Sequence, residues 1–332
     1  MKIFKSPDYN FIFDNKTGFF ARWGKTEDDD PPFSTFGPEI IDMEISTVCS
    51  RGCSWCYKSN NYQGKNMSFK TFKKIFDKFP KHLTQIAFGV GDIDANKDLW
   101  KIMEYCRENN VVPNITINGD RMTTRHYNKL GRLCGAVAVS LYNKHICYDA
   151  VKELTDRGIQ TNIHALLAKE TFMRCYSSLL DRIRDERLDN MNAIVFLWLK
   201  PKGTRNHFSQ VDNTNLKYLI KTAIDVGKPF GFDSCTAPMF LDAVKDEPEF
   251  EKYKVMTEPC ESTLFSYYIN CEGVGFPCSF CEDNYNGINI LEAPDFLEDV
   301  WQHQETVSFR NKVLNSGDCN GCRTCVEYKL GT

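Results

Sequence analysis

Cys49-Ser50-Arg51-Gly52-Cys53-Ser54-Trp55-Cys56-Tyr57 follows directly on residues 39–45, Glu-Ile-Ile-Asp-Met-Glu-Ile, which read as a β-strand. The three cysteines are spaced C-x3-C-x2-C and sit on the loop at the carboxyl end of that strand, where α/β folds build their active sites. Three thiolates on one short loop can each grip a different iron of a cubane [4Fe–4S] cluster, leaving the fourth iron without a protein ligand. A closed zinc site takes four ligands, and no fourth Cys or His lies nearby in sequence. A redox C-x-x-C pair would use only two of the three thiols. The loop therefore reads as an open iron–sulfur site, with a structural zinc loop as the alternative.

Outward from this loop the chain alternates. Strands are predicted at residues 39–45, 85–88, 114–117, 136–141, 161–167 and 194–199. Helices are predicted at 68–79 and 98–108, and near 125–133, 148–157, 176–184 and 215–226. Strand followed by helix in units of roughly 30 residues implies right-handed parallel crossovers and an α/β sheet, open or closed into a barrel. Ahead of it, residues 9–24 read as an aromatic-rich hairpin turning at Asn15 to Gly18, and the acidic run 27–30 reads as a loop. Arg22 and Trp23 on that hairpin offer a substrate-stacking pair or a piece of aromatic core. The lysine-studded helix 68–79 is amphipathic, with Lys70, Lys73, Lys74 and Lys78 opposite Phe72, Ile75, Phe76 and Phe79, and its charged side reads as a solvated face.

The whole composition agrees with a folded enzyme-sized chain. Of 332 residues 42% are hydrophobic and 26% charged, which excludes disordered and collagen-like classes. A formal charge of −3 supplies no basic field for coating nucleic acid. No apolar run is long enough to span a bilayer and no signal-peptide core follows Met1, so a cytoplasmic location is expected. There, fifteen cysteines stay mostly thiols and favour metal ligation or catalysis over disulfides. They gather in an early group and a late one, which suggests two metal sites.

C-x3-C-x2-C followed by an aromatic, here Tyr57, resembles the signature of the radical S-adenosylmethionine (SAM) enzymes. The resemblance implies a partial (β/α)6 TIM-like barrel over residues 39–235. In it Cys49, Cys53 and Cys56 hold a [4Fe–4S] cluster whose open iron is chelated by SAM. Reductive cleavage then yields a 5′-deoxyadenosyl radical that takes hydrogen from a substrate. The family's Gly-Gly-Glu segment after the second strand is replaced by Gly89-Val90-Gly91-Asp92, in which Asp92 offers a shorter carboxylate. Thr116-Ile117-Asn118-Gly119 resembles the family's turn after the third strand. Tyr57, Gly89, Gly91, Asp92, Asn118, Ser140, His164 and Leu199 are the SAM contacts this implies.

Late in the chain, Cys260-x12-Gly273-x4-Cys278 and then Cys319-x2-Cys322-x2-Cys325 resemble the auxiliary-cluster module of the SPASM and twitch subfamilies. The module implies one auxiliary [4Fe–4S] cluster on Cys260, Cys278, Cys319 and Cys322, with Cys281 and Cys325 as substitutes, in a small cysteine-rich domain at 236–332. The downstream run is shorter than the full SPASM pattern, which favours one auxiliary cluster over two and leaves a second one open. A zinc-ribbon-like tail would use the same thiolates. Cys235, beyond the last barrel strand, reads as a hydrogen-atom donor to a substrate radical or as buried packing.

Residues 1–38 lie outside the resemblance as an N-terminal hairpin extension. The expected activity is radical SAM modification of a peptide or protein side chain, by cross-linking, epimerisation or oxidation. A nucleotide or other small-molecule substrate is the alternative, and a flavodoxin- or ferredoxin-type reductant is the expected partner. A zinc-binding interaction protein is the reading outside enzymes.

Overall fold

The computed structural model describes residues 1–317 and 323–328. Its N-terminal strands β1 (Lys2–Phe4), β2 (Asn10–Phe13) and β3 (Phe20–Trp23) form an antiparallel sheet in that order. The expected hairpin is β2–β3, and β1 is an added edge strand. The sheet is not a substrate platform at Arg22. That guanidinium lies 3.4 Å from the centroid of the Phe265 ring and pairs with Glu39 at 2.9 Å and Glu261 at 3.3 Å.

The central body alternates β4 (Ile40–Glu44), α1 (Phe69–Phe76), β5 (Gln85–Gly89), α2 (Leu99–Glu108), β6 (Val112–Ile117), α3 (Thr124–Leu133) and β7 (Ala136–Ser140). It continues with α4 (Lys144–Thr155), β8 (Gln160–Leu167), α5 (Phe172–Asp181), β9 (Ala193–Trp198), α6 (Asn213–Val226) and the short β10 (Phe230–Phe232). Strands β4 to β10 are hydrogen-bonded in sequence order and all parallel, as a partial TIM barrel requires. Helix starts are set by side-chain caps: Ser68 accepts from Thr71 N, Asn143 from Ile146 N and Asp212 from Asn215 N. Alternate strand residues such as Ile41, Met43, Ile86 and Phe88 are buried under the helices. The opposite face, with Asp42, Glu44 and Gly89, lines the barrel's interior.

Beyond β10 come α7 (Ala237–Val244) and α8 (Phe250–Val255), then β11 (Ser266–Ile269), β12 (Val274–Phe276), β13 (Ile288–Asn289) and α9 (Gln304–Leu314). Strand β11 pairs parallel with β4, Ser266 opposite Ile40 through Ile269 opposite Met43, and β12 and β13 follow antiparallel. The late segment thus prolongs the barrel sheet to ten strands. The lysine face of α1 contributes to this junction. Lys78 Nζ donates to the carbonyls of Ile290 (2.8 Å), Leu291 (3.0 Å) and Ala293 (2.6 Å), so it is not simply solvated. No described helix is long and apolar enough to cross a membrane.

Candidate active site

The carboxyl ends of the barrel strands open into a cavity of about 690 Å³. Cys49, Cys53 and Cys56 all line it. Their loop is held from several directions. Cys49 N–H donates to Asn61 O (3.0 Å), Asp92 N–H donates to Val48 O (3.3 Å), and Ser59 N–H donates to Cys56 O (3.0 Å). A Cβ on Gly91 would meet Val48 O at 2.1 Å and Cys49 Cβ at 2.6 Å, so the turn after β5 lies against the cysteine loop as only glycine permits. Gly203, at φ +104°, approaches from the β9 side, where a Cβ would lie 2.3 Å from Cys56 O. Trp55 packs on Phe208, ring centroids 4.9 Å apart.

Of the SAM contacts expected from sequence, Tyr57, Gly89, Gly91, Asn118, Ser140, His164 and Leu199 line the same cavity. Asp92 is placed otherwise. Its carboxylate accepts Ser50 N–H at 2.8 Å and Asn118 Nδ2–H at 3.0 Å, and Asn118 Nδ2 also reaches Gly91 O at 3.0 Å. Asp92 therefore joins the turn after β5 to the cysteine loop and to the turn after β6. Burial holds His164 neutral by lowering its pKa to about 4, against a weaker upward pull from Asp233. Tyr57 stacks on Phe280, ring centroids 4.5 Å apart, and burial holds its phenol protonated.

Several cavity residues had no sequence reading. Glu44 and Asp42 share the inward face of β4. Lys58, just past Tyr57, lies 3.4 Å from Glu44 and 2.5 Å from Glu282, and Tyr268 of β11 bonds both Lys58 and Glu282 at 2.9 Å. Asp42 meets water through the cavity, yet the enclosing barrel wall raises its pKa to about 6. Two carboxylates on one face of an otherwise apolar strand were the available signal, visible only once the strand's inward parity was known. Lys200 pairs with Asp233, and both line the cavity.

The residues fit a metal cluster with a bound polar ligand. Among the described residues, no three Cys, His, Asp or Glu side chains converge on a single metal ion. A cubane does not ask for that, since each thiolate takes its own iron. Without metal, burial raises the pKa of Cys49 and Cys53, while Arg51 opposes the rise at Cys53. Ligation would relieve this desolvation. Arg51 Nε, Asn60 Oδ1 and Trp198 Nε1 are buried with no hydrogen-bond partner, and all three residues line the cavity. Such unpaired groups call for a ligand.

The late cysteines abut this cavity, because Ser279 and Phe280, next to Cys278, line it. Cys278 and Cys281 lie sulfur to sulfur at 3.4 Å, and Cys260 and Cys278 pack on the aromatic cluster that contains buried Cys281. Cys235 shares a thiol hydrogen bond with Cys325. Cys319 and Cys322 lie outside the described residues.

The family model of the Radical SAM superfamily matches residues 43–158. No curated protein matches the sequence. Among solved structures, SuiB of Streptococcus suis bound to S-adenosylmethionine superposes with a TM-score of 0.66 at 16% identity, covering 86% of this chain and 71% of that one. SuiB bound to its precursor peptide SuiA gives 0.67 at 16% identity, covering 86% and 70%. The protein anSMEcpe with bound AdoMet and a Cp18Cys peptide gives 0.62 at 14% identity, covering 88% and 91%. At these identities the likeness shows the shared fold. Fold and family match agree on the barrel that carries the cysteine loop: the chain holds a radical SAM domain over residues 43–158.

Proposed function

We propose that this enzyme cleaves SAM reductively and uses the resulting radical to modify a peptide or protein side chain. The observation that carries the reading is the convergence of Cys49, Cys53 and Cys56 on one barrel cavity with seven of the eight expected SAM contacts. Cys49, Cys53 and Cys56 would hold a [4Fe–4S] cluster there, which would supply the electron for reductive cleavage of SAM and so the radical that takes hydrogen from substrate. The protein's part is to hold and screen. Gly91 and Asp92 fix the cysteine loop. Tyr57, Ser140, His164 and Leu199 complete the cavity wall. Neutral His164 adds no charge beside a cationic sulfonium.

The peptide preference is supported by SuiB with its precursor peptide and by anSMEcpe with a bound peptide, both on this fold. An auxiliary [4Fe–4S] cluster of the SPASM or twitch kind, on Cys260, Cys278 and thiolates of the run Cys319, Cys322 and Cys325, completes the reading. A flavodoxin- or ferredoxin-type protein is the reductant. Anaerobic reconstitution should give a brown protein that converts SAM to 5′-deoxyadenosine with dithionite. Cys53→Ala should abolish this and lose about four irons. A colourless protein holding zinc would overturn the reading. Calorimetry with SAM present separates substrates: nucleotide-dependent SAM cleavage without peptide binding would replace the peptide assignment.

A further inference from the structure

Asp42 is the third residue of β4 and stands on the strand's inward face, lining the cavity. The sheet register fixes what lies beside it. On one side it is opposite Ala87 of β5, another cavity residue, whose methyl leaves the carboxylate uncovered. On the other it is opposite Tyr268 of β11, whose hydroxyl is already engaged by Lys58 and Glu282 at 2.9 Å each. Among the described residues, Asp42 is joined to no hydrogen-bond donor and to no cation.

The charges around it are otherwise answered. Of the other carboxylates lining the cavity, Glu44 has Lys58 at 3.4 Å and Asp233 has Lys200. Lys58 is also shared with Glu282, at 2.5 Å, so one ammonium serves two carboxylates and the wall built by β4 and β11 keeps a surplus of negative charge. Arg51 is taken by Asp120. Arg174, which donates to the Leu141 carbonyl at 3.4 Å, follows β8, four strands round the sheet from β4, and does not offset Asp42. A carboxylate that meets water only through an enclosed cavity has lost solvation without gaining a partner, which lifts its pKa to about 6. An opposite charge brought to it recovers that loss through a charge-assisted hydrogen bond. Tyr57 and Phe280 line the same cavity and present ring faces, which also attract cations. Depth separates this point from the cysteine loop. Asp42 precedes Glu44 by two residues, which sets it roughly 7 Å further down the strand.

We propose that Asp42 is a specificity-determining residue that receives a cationic group of the substrate, the ammonium or guanidinium of a basic side chain, inside the barrel. This rests on the reading that the cavity modifies a peptide or protein side chain, and it names the kind of side chain that enters. No bond is made or broken at Asp42. Its carboxylate fixes how far the side chain reaches in.

The probes are n-butylammonium and n-propylguanidinium, which carry the ends of Lys and Arg, with n-butanol as the neutral match. Each is titrated by calorimetry into the full chain, reconstituted anaerobically and saturated with SAM. At least one cation should bind about tenfold tighter than n-butanol, and the tighter of the two identifies the side chain as Lys-like or Arg-like. Asp42→Asn, which keeps size and removes charge, should bring cation affinity down to that of the alcohol. Ala87→Leu, which keeps the charge and fills the space beside it, should weaken the cations as well, and it decides the matter if Asp42→Asn lacks a cooperative thermal transition. Equal binding of cations and alcohol by the parent would overturn the proposal, as would an unchanged cation preference in the folded Asp42→Asn variant. Loss of SAM affinity together with cation binding in Asp42→Asn would set Asp42 against SAM and overturn it too. Failure of the wider reading looks different: a parent that prefers cations through Asp42 yet forms no 5′-deoxyadenosine with dithionite would sink the radical chemistry and leave the cation site standing.

Discussion

At Gly91 and Asp92 the structure turns a departure from the family pattern into a mechanical role. The carboxylate expected to face SAM instead accepts from Ser50 and Asn118, so its shorter reach matches the work it does. Asp92→Ala would strand the Ser50 amide and should cost about 1–3 kcal/mol of stability, with lowered iron content at the first cluster. Gly91→Ala would force a methyl into Val48 and Cys49, and it should cost about 1–3 kcal/mol and also lower cluster occupancy. Chemical unfolding and iron assay of the two purified variants check both. Full iron in both would remove them from the support of the loop. The cysteines themselves were legible in sequence because ligand spacing is a local property. Glu44, Lys58, Tyr268 and Glu282 were not, because they meet only when β11 docks beside β4 across more than 200 positions of chain.

Elements reveal the same division. Strands β4 to β9 and helices α1 to α6 announced themselves by period, and their observed bounds depart from the predicted ones only near the ends, where caps and fraying decide. Strand β10 and the pairing of β11 were silent, since three residues carry little periodicity and strand partners are not written in either strand. Arg22 is one of the side chains that anchor the N-terminal sheet. Arg22 joins Glu39 and Glu261 and covers Phe265, so Arg22→Met should cost about 3–5 kcal/mol by leaving buried carboxylates uncompensated. Burial already raises Glu39 to about 7 against the pull of Arg22. Without Arg22 its pKa would climb further, and the variant's deficit should be larger at pH 8 than at pH 5, where Glu39 is protonated. Urea midpoints at the two pH values test this. An equal deficit would mean that packing on Phe265, not charge, is what Arg22 provides.

For the molecule as a whole, acid should weaken the fold through buried His82 and through His164, enclosed in the cavity wall. His82 and His164 are both held near pKa 4 by burial. A histidine whose folded pKa lies below its unfolded value favours folding above about pH 6.5. That advantage is lost as pH falls through about 4, because the unfolded chain then binds a proton the fold excludes. For His82, whose Nε2 is buried without a partner, this is on the order of 1–3 kcal/mol. Denaturation of His82→Gln should show a shallower loss of stability between pH 6.5 and 4.5 than the parent. A parallel slope would place the acid sensitivity elsewhere.

The parallel pairing of β11 with β4 carries a consequence for how the chain comes apart. Main-chain ladders at Ile41, Asp42 and Met43 are shared between the strand that feeds the cysteine loop and a strand from the late segment. Neither half can peel away without exposing the other's amides, so the late segment is not a lid on a hinge. Amide hydrogen exchange at Tyr267 to Ile269 should be as slow as at Ile41 to Met43, and both sets should open in one cooperative event.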